Sequence, residues 1–313
     1  MTLNTSELKD ILAFAVSLSH RAGDLILEGS KAIRTAAGQG VGEKKNAVDL
    51  VTEWDVKVEE MIKREVAAAY PSFKFMGEES YSSGDRQPLT DEPTFCVDPI
   101  DGTTNFVHGF PYVCVSIGLI LGKVPVLGVI RNPFLNQTYS ALKGHGAFLN
   151  ETSRLPLYPP APLPSLSSAI IGSEWGSDRS DSIINAKARS FMRLAADGRS
   201  VPGGKMAHAL RSIGSAAMNY ALVSSGALDI YWEIGCWPWD VCAGMIIATE
   251  SGAMVSGGPN DGSVPSVINE AVLTGRKYIV VRAIQGTSTE SGADAQRRII
   301  KEYYETVEDW EAS

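Results

Sequence analysis

Nine consecutive residues, Asp98-Pro99-Ile100-Asp101-Gly102-Thr103-Thr104-Asn105-Phe106, constrain this chain more than any other feature. They follow a short apolar run at 95–97 that reads as a strand, and they place two carboxylates three residues apart at its C-terminal end. Pro99 stiffens the turn, Gly102 lets backbone come close to a bound group, and Thr103 and Thr104 suit a helix start. The free N–H groups of such a start form an anion site. Carboxylates beside a phosphate would repel it unless divalent cations lay between them. Hard oxygen donors select Mg²⁺, which takes a few carboxylates and keeps water and substrate oxygens in its shell. An Asp-x-x-Asp pair alone is also what an acidic, helix-capping turn looks like, so the reading depends on company. Gly77-Glu78-Glu79-Ser80 follows another strand, at 73–76, and Trp239-Asp240-Val241-Cys242-Ala243-Gly244 places a further Asp at a helix start.

The rest of the chain organises around these acidic ends. Leu8, Ile11, Leu12, Ala15, Leu18, Ala22, Leu25 and Ile26 recur at helical spacing behind an Asn4/Glu7 capping pair, predicting a first helix that ends near Gly29. Thr52 with Asp55 caps a second helix that stops before Pro71. The β-branched runs of 112–130, split at Gly122 and Lys123, predict a hairpin, and 138–142 adds a strand. Residues 1–155 thus read as an α+β half with an antiparallel sheet and the metal-site loops. The Pro-rich stretch 156–164 is the candidate boundary. Residues 156–313 alternate strand (169–172), helix (183–194), helix (215–223), strand (228–232) and helix (240–249), with a closing helix at 297–307. That pattern predicts a second sheet covered by helices, completing a single catalytic unit.

Composition removes several function classes. A formal charge of −8 with scattered basic residues repels nucleic acid. The apolar stretch 110–122 stops at Lys123, short of the roughly 18 residues that a membrane span needs. Glu7, Lys9 and Asp10 precede the first apolar run, unlike a secretory leader, so the expected location is cytoplasmic. Cys96, Cys114, Cys236 and Cys242 contain no Cys-x-x-Cys pair and read as buried reduced thiols. The four histidines are dispersed, which argues against a His-rich metal site.

With GEES at 77–80, DPIDGTTNFVHGFP at 98–111, RSIGSAAMN at 211–219 and WDVCAG at 239–244, the chain resembles the inositol monophosphatase family of Mg²⁺-dependent, lithium-sensitive phosphatases. The resemblance implies a layered αβαβα sandwich of the sugar phosphatase type, often a homodimer. It implies that Glu78, Asp98 and the Ile100 carbonyl hold one metal and that Asp98, Asp101 and Asp240 hold a second. Asp49 and Asp55 match the family's acidic segment, and Asp55 with Thr103 looks like the pair that orients the attacking water. Lys44 matches a basic residue on the loop entering the site. Gly102 and Thr103 N–H groups would hold phosphate oxygens. Gly214, Ser215 and Ala216 match a helix start that contacts the ring, and Glu233 a carboxylate that accepts from ring hydroxyls.

The activity so implied is hydrolysis of inositol monophosphates to myo-inositol and phosphate, a small-molecule reaction without nucleic acid or membrane. A sister sugar-phosphate or bisphosphate nucleotide phosphatase, or a relative attached to quinate use, would share every metal ligand. A protein-binding regulator with low turnover is the non-enzyme alternative. Cys236-Trp237-Pro238 is bulkier than the family's usual turn, and the stretch beyond Asn260 fits the pattern poorly.

Overall fold

The computed structural model describes residues 3–35, 41–46, 50–259 and 268–312. Helix α1 (Thr5–Thr35) starts where Asn4 Oδ1 accepts the N–H groups of Ser6 and Glu7 at 2.9 and 3.1 Å, and Glu7 accepts from Asn4 N at 2.7 Å. The expected stop near Gly29 is corrected. A Cβ at Gly29 would lie 2.5 Å from the Trp54 ring, so this glycine serves a close helix contact and the helix continues past it. The antiparallel ribbon β1 (Val41–Glu43) and β2 (Leu50–Thr52) leads into α2 (Glu53–Ala69). Its capping box is the expected one: Trp54 N donates to Thr52 Oγ1 at 3.2 Å and Thr52 N to Asp55 Oδ2 at 2.8 Å.

Among the described residues, seven strands form the first sheet. They are β3 (Lys74–Gly77), β4 (Thr94–Asp101), β5 (Cys114–Leu121), β6 (Val124–Asn132), β7 (Gln137–Leu142), β8 (Ala147–Leu149) and β9 (Ser153–Arg154), in sequential order. Short helices α3 (Glu78–Ser82) and α4 (Thr103–His108) follow β3 and β4. The expectation of an antiparallel sheet needs one correction, because β3 and β4 are parallel, with Gly77 opposite Val97. The chain leaves β3 through α3 and loops back to its starting edge. Glu78 and Asp98 therefore emerge side by side instead of at opposite ends.

The second sheet, ordered β11-β10-β12-β14-β13, is built from β10 (Ile170–Ser173), β11 (Ala209–Arg211), β12 (Ile230–Ile234), β13 (Met254–Ser256) and β14 (Lys277–Val281). Its helices are α5 (Asp181–Ala195), α6 (Ala216–Ser225), α7 (Pro238–Glu250), α8 (Glu270–Thr274) and α9 (Gly292–Tyr304). The closing helix begins earlier than expected and ends at Tyr304. Ser291 Oγ caps it by accepting from Asp294 N at 3.1 Å, and its first turns are too polar to show an apolar stripe.

The layers follow from which faces are apolar. Leu18, Ile26, Val58 and Ile62 of α1 and α2 pack on Val97, Ile117 and Val129 of the first sheet. Tyr220 and Val223 of α6 and Val241 and Met245 of α7 join Cys96 and Ile120 to Tyr231 and Tyr278 of the second sheet. Leu194, Ile299 and Tyr303 cover that sheet's other face with Ile230 and Ile279. This is the expected αβαβα order. Helix α7 is apolar on all sides because it is buried on all sides. Glycines let it approach: a Cβ at Gly118 would meet Cys242 Sγ at 2.4 Å, and one at Gly244 would meet the Tyr220 ring at 2.4 Å. All four cysteines are buried free thiols, as expected. Among the described residues no helix is long and apolar enough to cross a membrane.

Candidate active site

The acidic turn is built by a break in the β4–β5 ladder. Asp98 pairs with Ser116 and Asp101 with Cys114, and the register shifts between them, where Pro99 offers no N–H. Asp98 Oδ1 accepts from Ile100 N at 3.0 Å and closes the turn. Gly102 follows at φ 91°, and a Cβ there would sit 2.8 Å from Tyr112 O and 3.1 Å from Gly214 O, so only glycine fits. Asn105 Nδ2 then donates to Tyr112 O and Ile213 O at 2.8 and 2.7 Å, tying the turn to the entry of α6.

Each predicted carboxylate has a defined partner. Asp101 Oδ2 accepts from Ser215 Oγ and Ala217 N, both at 2.6 Å, and Oδ1 from Ala216 N at 3.3 Å. It therefore caps α6 from outside. Asp240 Oδ2 accepts from Trp237 N at 2.6 Å at the start of α7. Glu78 Oε1 and Glu79 Oε1 both take Lys44 Nζ, at 2.7 and 2.6 Å, while Glu59 holds Glu79 N and Ser80 N at 2.7 Å each. Asp55 Oδ2 accepts from Thr52 Oγ1 at 2.6 Å, and its Oδ1 lies 3.2 Å from Thr103 Oγ1, which is also 3.1 Å from Ile100 O.

Burial and mutual repulsion set the electrostatics. Asp98 is pushed well above the usual carboxyl range by burial and then by the charges of Glu78, Asp101 and Asp240. Asp240 rises for the same reasons, burial first and then Glu78 and Asp101. Asp101 moves only to about 6, because the Ser215 hydroxyl and the Ala217 N–H favour its charged form against burial. Asp55 is also raised to about 6 by burial, with Thr52 opposing. Burial and Glu78 lift Glu79 to about 7. Burial depresses Lys44, but Glu78 and Glu79 outweigh it and its net shift is upward.

Among the described residues, no group of three or more His, Cys, Asp or Glu side chains is assembled so that it could hold a metal ion. The reason is visible in the partners: Lys44 takes Glu78, and α6 takes both oxygens of Asp101. The donor chemistry still fits a hard cation. Glu78, Asp98 and Asp240 each keep one carboxylate oxygen with no hydrogen-bond partner among the described residues, and the charge of Glu78 helps to raise both Asp98 and Asp240.

Glu78, Asp101, Gly102, Thr103, Gly214, Ser215, Ala216, Glu233 and Asp240 all line one cleft of about 370 Å³. Asp55, Asp98 and Ile100 are buried and are not among its lining residues. Glu233 lies next to Tyr231 Oη, which donates to its Oε2, and burial together with Glu174 lifts its carboxyl to about 7. Sequence reasoning missed Glu174. It accepts from Ser212 Oγ at 2.6 Å and from Ile213 N and Asn219 Nδ2 at 2.8 Å each, which shapes the loop before α6. The signal was present, since Glu174 is another acidic residue directly after a strand. A larger chamber of about 580 Å³ adjoins the cleft and shares Glu78, Glu233, Cys236 and Asp240 with it. The bulky turn forms part of its wall. Trp237 stacks on Trp239 at 5.4 Å, and the Arg276 guanidinium lies 3.8 Å over the Trp237 ring. Asp49 and the stretch 260–267 lie outside the described residues.

Comparison with known proteins places this geometry. The family model described as "Inositol monophosphatase family" matches residues 7–300. The chain is 44% identical to Protein qutG of Emericella nidulans, covering 96% of this chain and 94% of that protein. It is 39% identical to the Quinic acid degradation cluster protein x of Neurospora crassa, over 98% and 96% of the two chains. It is 47% identical to Inositol monophosphatase 2 of Saccharomyces cerevisiae, over 69% of this chain and 72% of that one. Among solved structures it is similar to an IMPase of Thermotoga maritima, with TM-score 0.71, 26% identity, and 95% and 98% of the chains covered. With the sandwich, the acidic turn and the matched span in agreement, the chain belongs to the inositol monophosphatase family and is a phosphatase of that family.

Proposed function

We propose that the enzyme hydrolyses inositol 1-phosphate and related inositol monophosphates to myo-inositol and phosphate, using Mg²⁺ held by Glu78, Asp98, the Ile100 carbonyl, Asp101 and Asp240. The observation that carries this reading is that Glu78, Asp98 and Asp240 each keep a carboxylate oxygen without a hydrogen-bond partner among the described residues, while Asp55 orients the Thr103 hydroxyl. When bound, divalent cations neutralise the carboxylates and stabilise charge building on the phosphoryl group. The chain's own residues do the rest. Gly102 and Thr103 N–H groups bind phosphoryl oxygens, and Thr103, oriented by Asp55, positions the attacking water. Attack in line forms the new P–O bond as the ester P–O bond breaks, and the departing alkoxide takes up a proton that balances the one released by the attacking water. Gly214, Ser215 and Ala216 frame the ring, and Glu233 accepts from its hydroxyls. On the family resemblance we further place the enzyme in the cytoplasm, as a homodimer and with lithium sensitivity.

A second reading, the phosphate ester of another polyol met in quinic acid degradation, is favoured by the likeness to the Neurospora protein, 39% identical over 96% of that protein's length. Initial rates on inositol 1-phosphate, fructose 1,6-bisphosphate and 3′-phosphoadenosine 5′-phosphate, each with Mg²⁺ and with EDTA, decide the matter. Preference for the first, lost in EDTA, is expected. Turnover in EDTA after dialysis would overturn the metal assignment, and preference for another ester would overturn the substrate.

A further inference from the structure

Residues 305–312 follow α9 and lie beyond the span that matches the family model, yet they reach the larger chamber, which Trp310, Glu311 and Ala312 help to line. Two clamps hold the segment there. Arg189 donates to both oxygens of Glu308 at 2.7 Å, and Glu308 N donates to Ser190 Oγ at 2.9 Å. Lys277 Nζ bridges Asp309 and Glu311 at 2.9 and 3.0 Å. Between the clamps Trp310 meets Trp232 edge-on, with ring centroids 5.4 Å apart, and Lys187 Nζ lies 5.6 Å from the Trp310 ring centre.

Lys187 is the second observation. Its side chain is buried, its ammonium donates to the carbonyls of Glu174 and Trp175 at 3.3 and 2.5 Å, and it makes no ion pair among the described residues. A buried cation held only by neutral acceptors is costly unless something else compensates. Here it lines the same chamber as Glu233, so a donor and an acceptor flank one space beside an indole face. A polyhydroxylated ring has the matching chemistry, with C–H faces for the indole and hydroxyls that both donate and accept.

We propose that the 305–312 segment is a specificity wall: Trp310 contacts the alcohol part of the phosphate ester and keeps Lys187 in place to hydrogen-bond its hydroxyls opposite Glu233. The identity of that alcohol rests on the polyol reading above. Discrimination between large and small leaving groups rests on the segment alone.

The test compares inositol 1-phosphate with ethyl phosphate, too small to fill the chamber, in wild type, Trp310→Ala, Trp310→Phe and Asp309→Lys. The last variant loosens a clamp without touching the cleft, and so covers the case in which Trp310→Ala fails to fold. Trp310→Ala and Asp309→Lys should lower kcat/KM on inositol 1-phosphate about tenfold, mainly through KM, with ethyl phosphate within about twofold and Trp310→Phe largely restored. Equal losses on both esters, or no loss in any folded variant, would overturn the wall. If wild type shows no preference for inositol 1-phosphate, the polyol reading fails by itself. The wall is then judged on p-nitrophenyl phosphate against ethyl phosphate, and it falls if Asp309→Lys leaves that ratio unchanged.

Discussion

Thr103 Oγ1 lies 3.2 Å from Asp55 Oδ1, and the other oxygen of that carboxylate already accepts from Thr52 N and Thr52 Oγ1 at 2.8 and 2.6 Å. One buried side chain thus caps α2 and orients a hydroxyl that lines the cleft. The two jobs are compatible because each uses a different oxygen. The rigid helix end becomes the support for the hydroxyl proposed to position the attacking water.

Thr103→Ala should lower kcat by about 10²- to 10⁴-fold while KM stays near the wild-type value, because the phosphate would keep its proposed backbone contacts. Thr103→Ser should recover most of the rate. Steady-state kinetics on inositol 1-phosphate check this, and a defect confined to KM would make Thr103 a binding residue.

Asp55→Asn separates from a pure capping defect by comparison with Thr52→Ala. Loss of the cap costs about 1 kcal/mol of stability, visible as a lower Tm in both variants. Only Asp55→Asn should also lower kcat strongly. Equal rates in the two variants would reduce Asp55 to a helix cap.

The sequence displays the parts of this site that are local and hides the parts that are assembled. Asp98, Gly102 and Thr103 sit in one turn, so their spacing already carries the geometry. The same holds for the Asn4/Glu7 and Thr52/Asp55 caps, which are built from neighbours. The Lys44 bridge spans 34 and 35 residues to Glu78 and Glu79, and the Glu174 contacts with Ser212, Ile213 and Asn219 span 38 to 45. No periodicity encodes such pairings. Gly29 misled for a related reason, since a helix-ending residue in isolation is a packing residue once Trp54 lies over it. The parallel β3–β4 pairing likewise depends on where the 83–93 loop returns the chain.

Mg²⁺ should raise Tm, by about 2.7 kcal/mol of stability at a hundredfold excess over Kd, and EDTA should remove the gain along with activity. Asp98→Asn removes one charge from a buried cluster whose members repel one another. In EDTA its Tm should therefore exceed that of wild type, while in Mg²⁺ the order reverses and turnover is lost. Scanning fluorimetry with both additives reads all four values. An Asp98→Asn protein with wild-type kcat would overturn the proposed place of Asp98 in both metal sites.

Gly118→Ala and Gly244→Ala should destabilise by about 1 to 3 kcal/mol each, since either methyl would overlap atoms of the central layer at 2.4 Å. Denaturant midpoints with unchanged m-values would show it. A neutral result at Gly118 would mean that α7 can withdraw from the first sheet.

Glu233→Gln tests substrate class and pH dependence together. The carboxyl is raised from 4.5 to about 7 by burial and by Glu174, so the folded protein binds a proton there that the unfolded chain releases earlier. Stability contributed by the neutral form is complete below pH 4.5 and is lost as pH rises toward 7, by about 3 kcal/mol at 1.36 kcal/mol per unit. Glutamine is neutral throughout. The variant should accordingly gain Tm over wild type as pH rises from 5 to 8, and a Tm difference flat with pH would contradict the raised carboxyl. On the catalytic side, a charge-assisted bond to a ring hydroxyl is worth roughly 1.5 to 3 kcal/mol, or about tenfold or more in kcat/KM on inositol 1-phosphate. Hydrolysis of p-nitrophenyl phosphate, which has no ring hydroxyls, should change little. Parallel losses on both esters would show that Glu233 supports the fold or the acidic site instead of reading the alcohol.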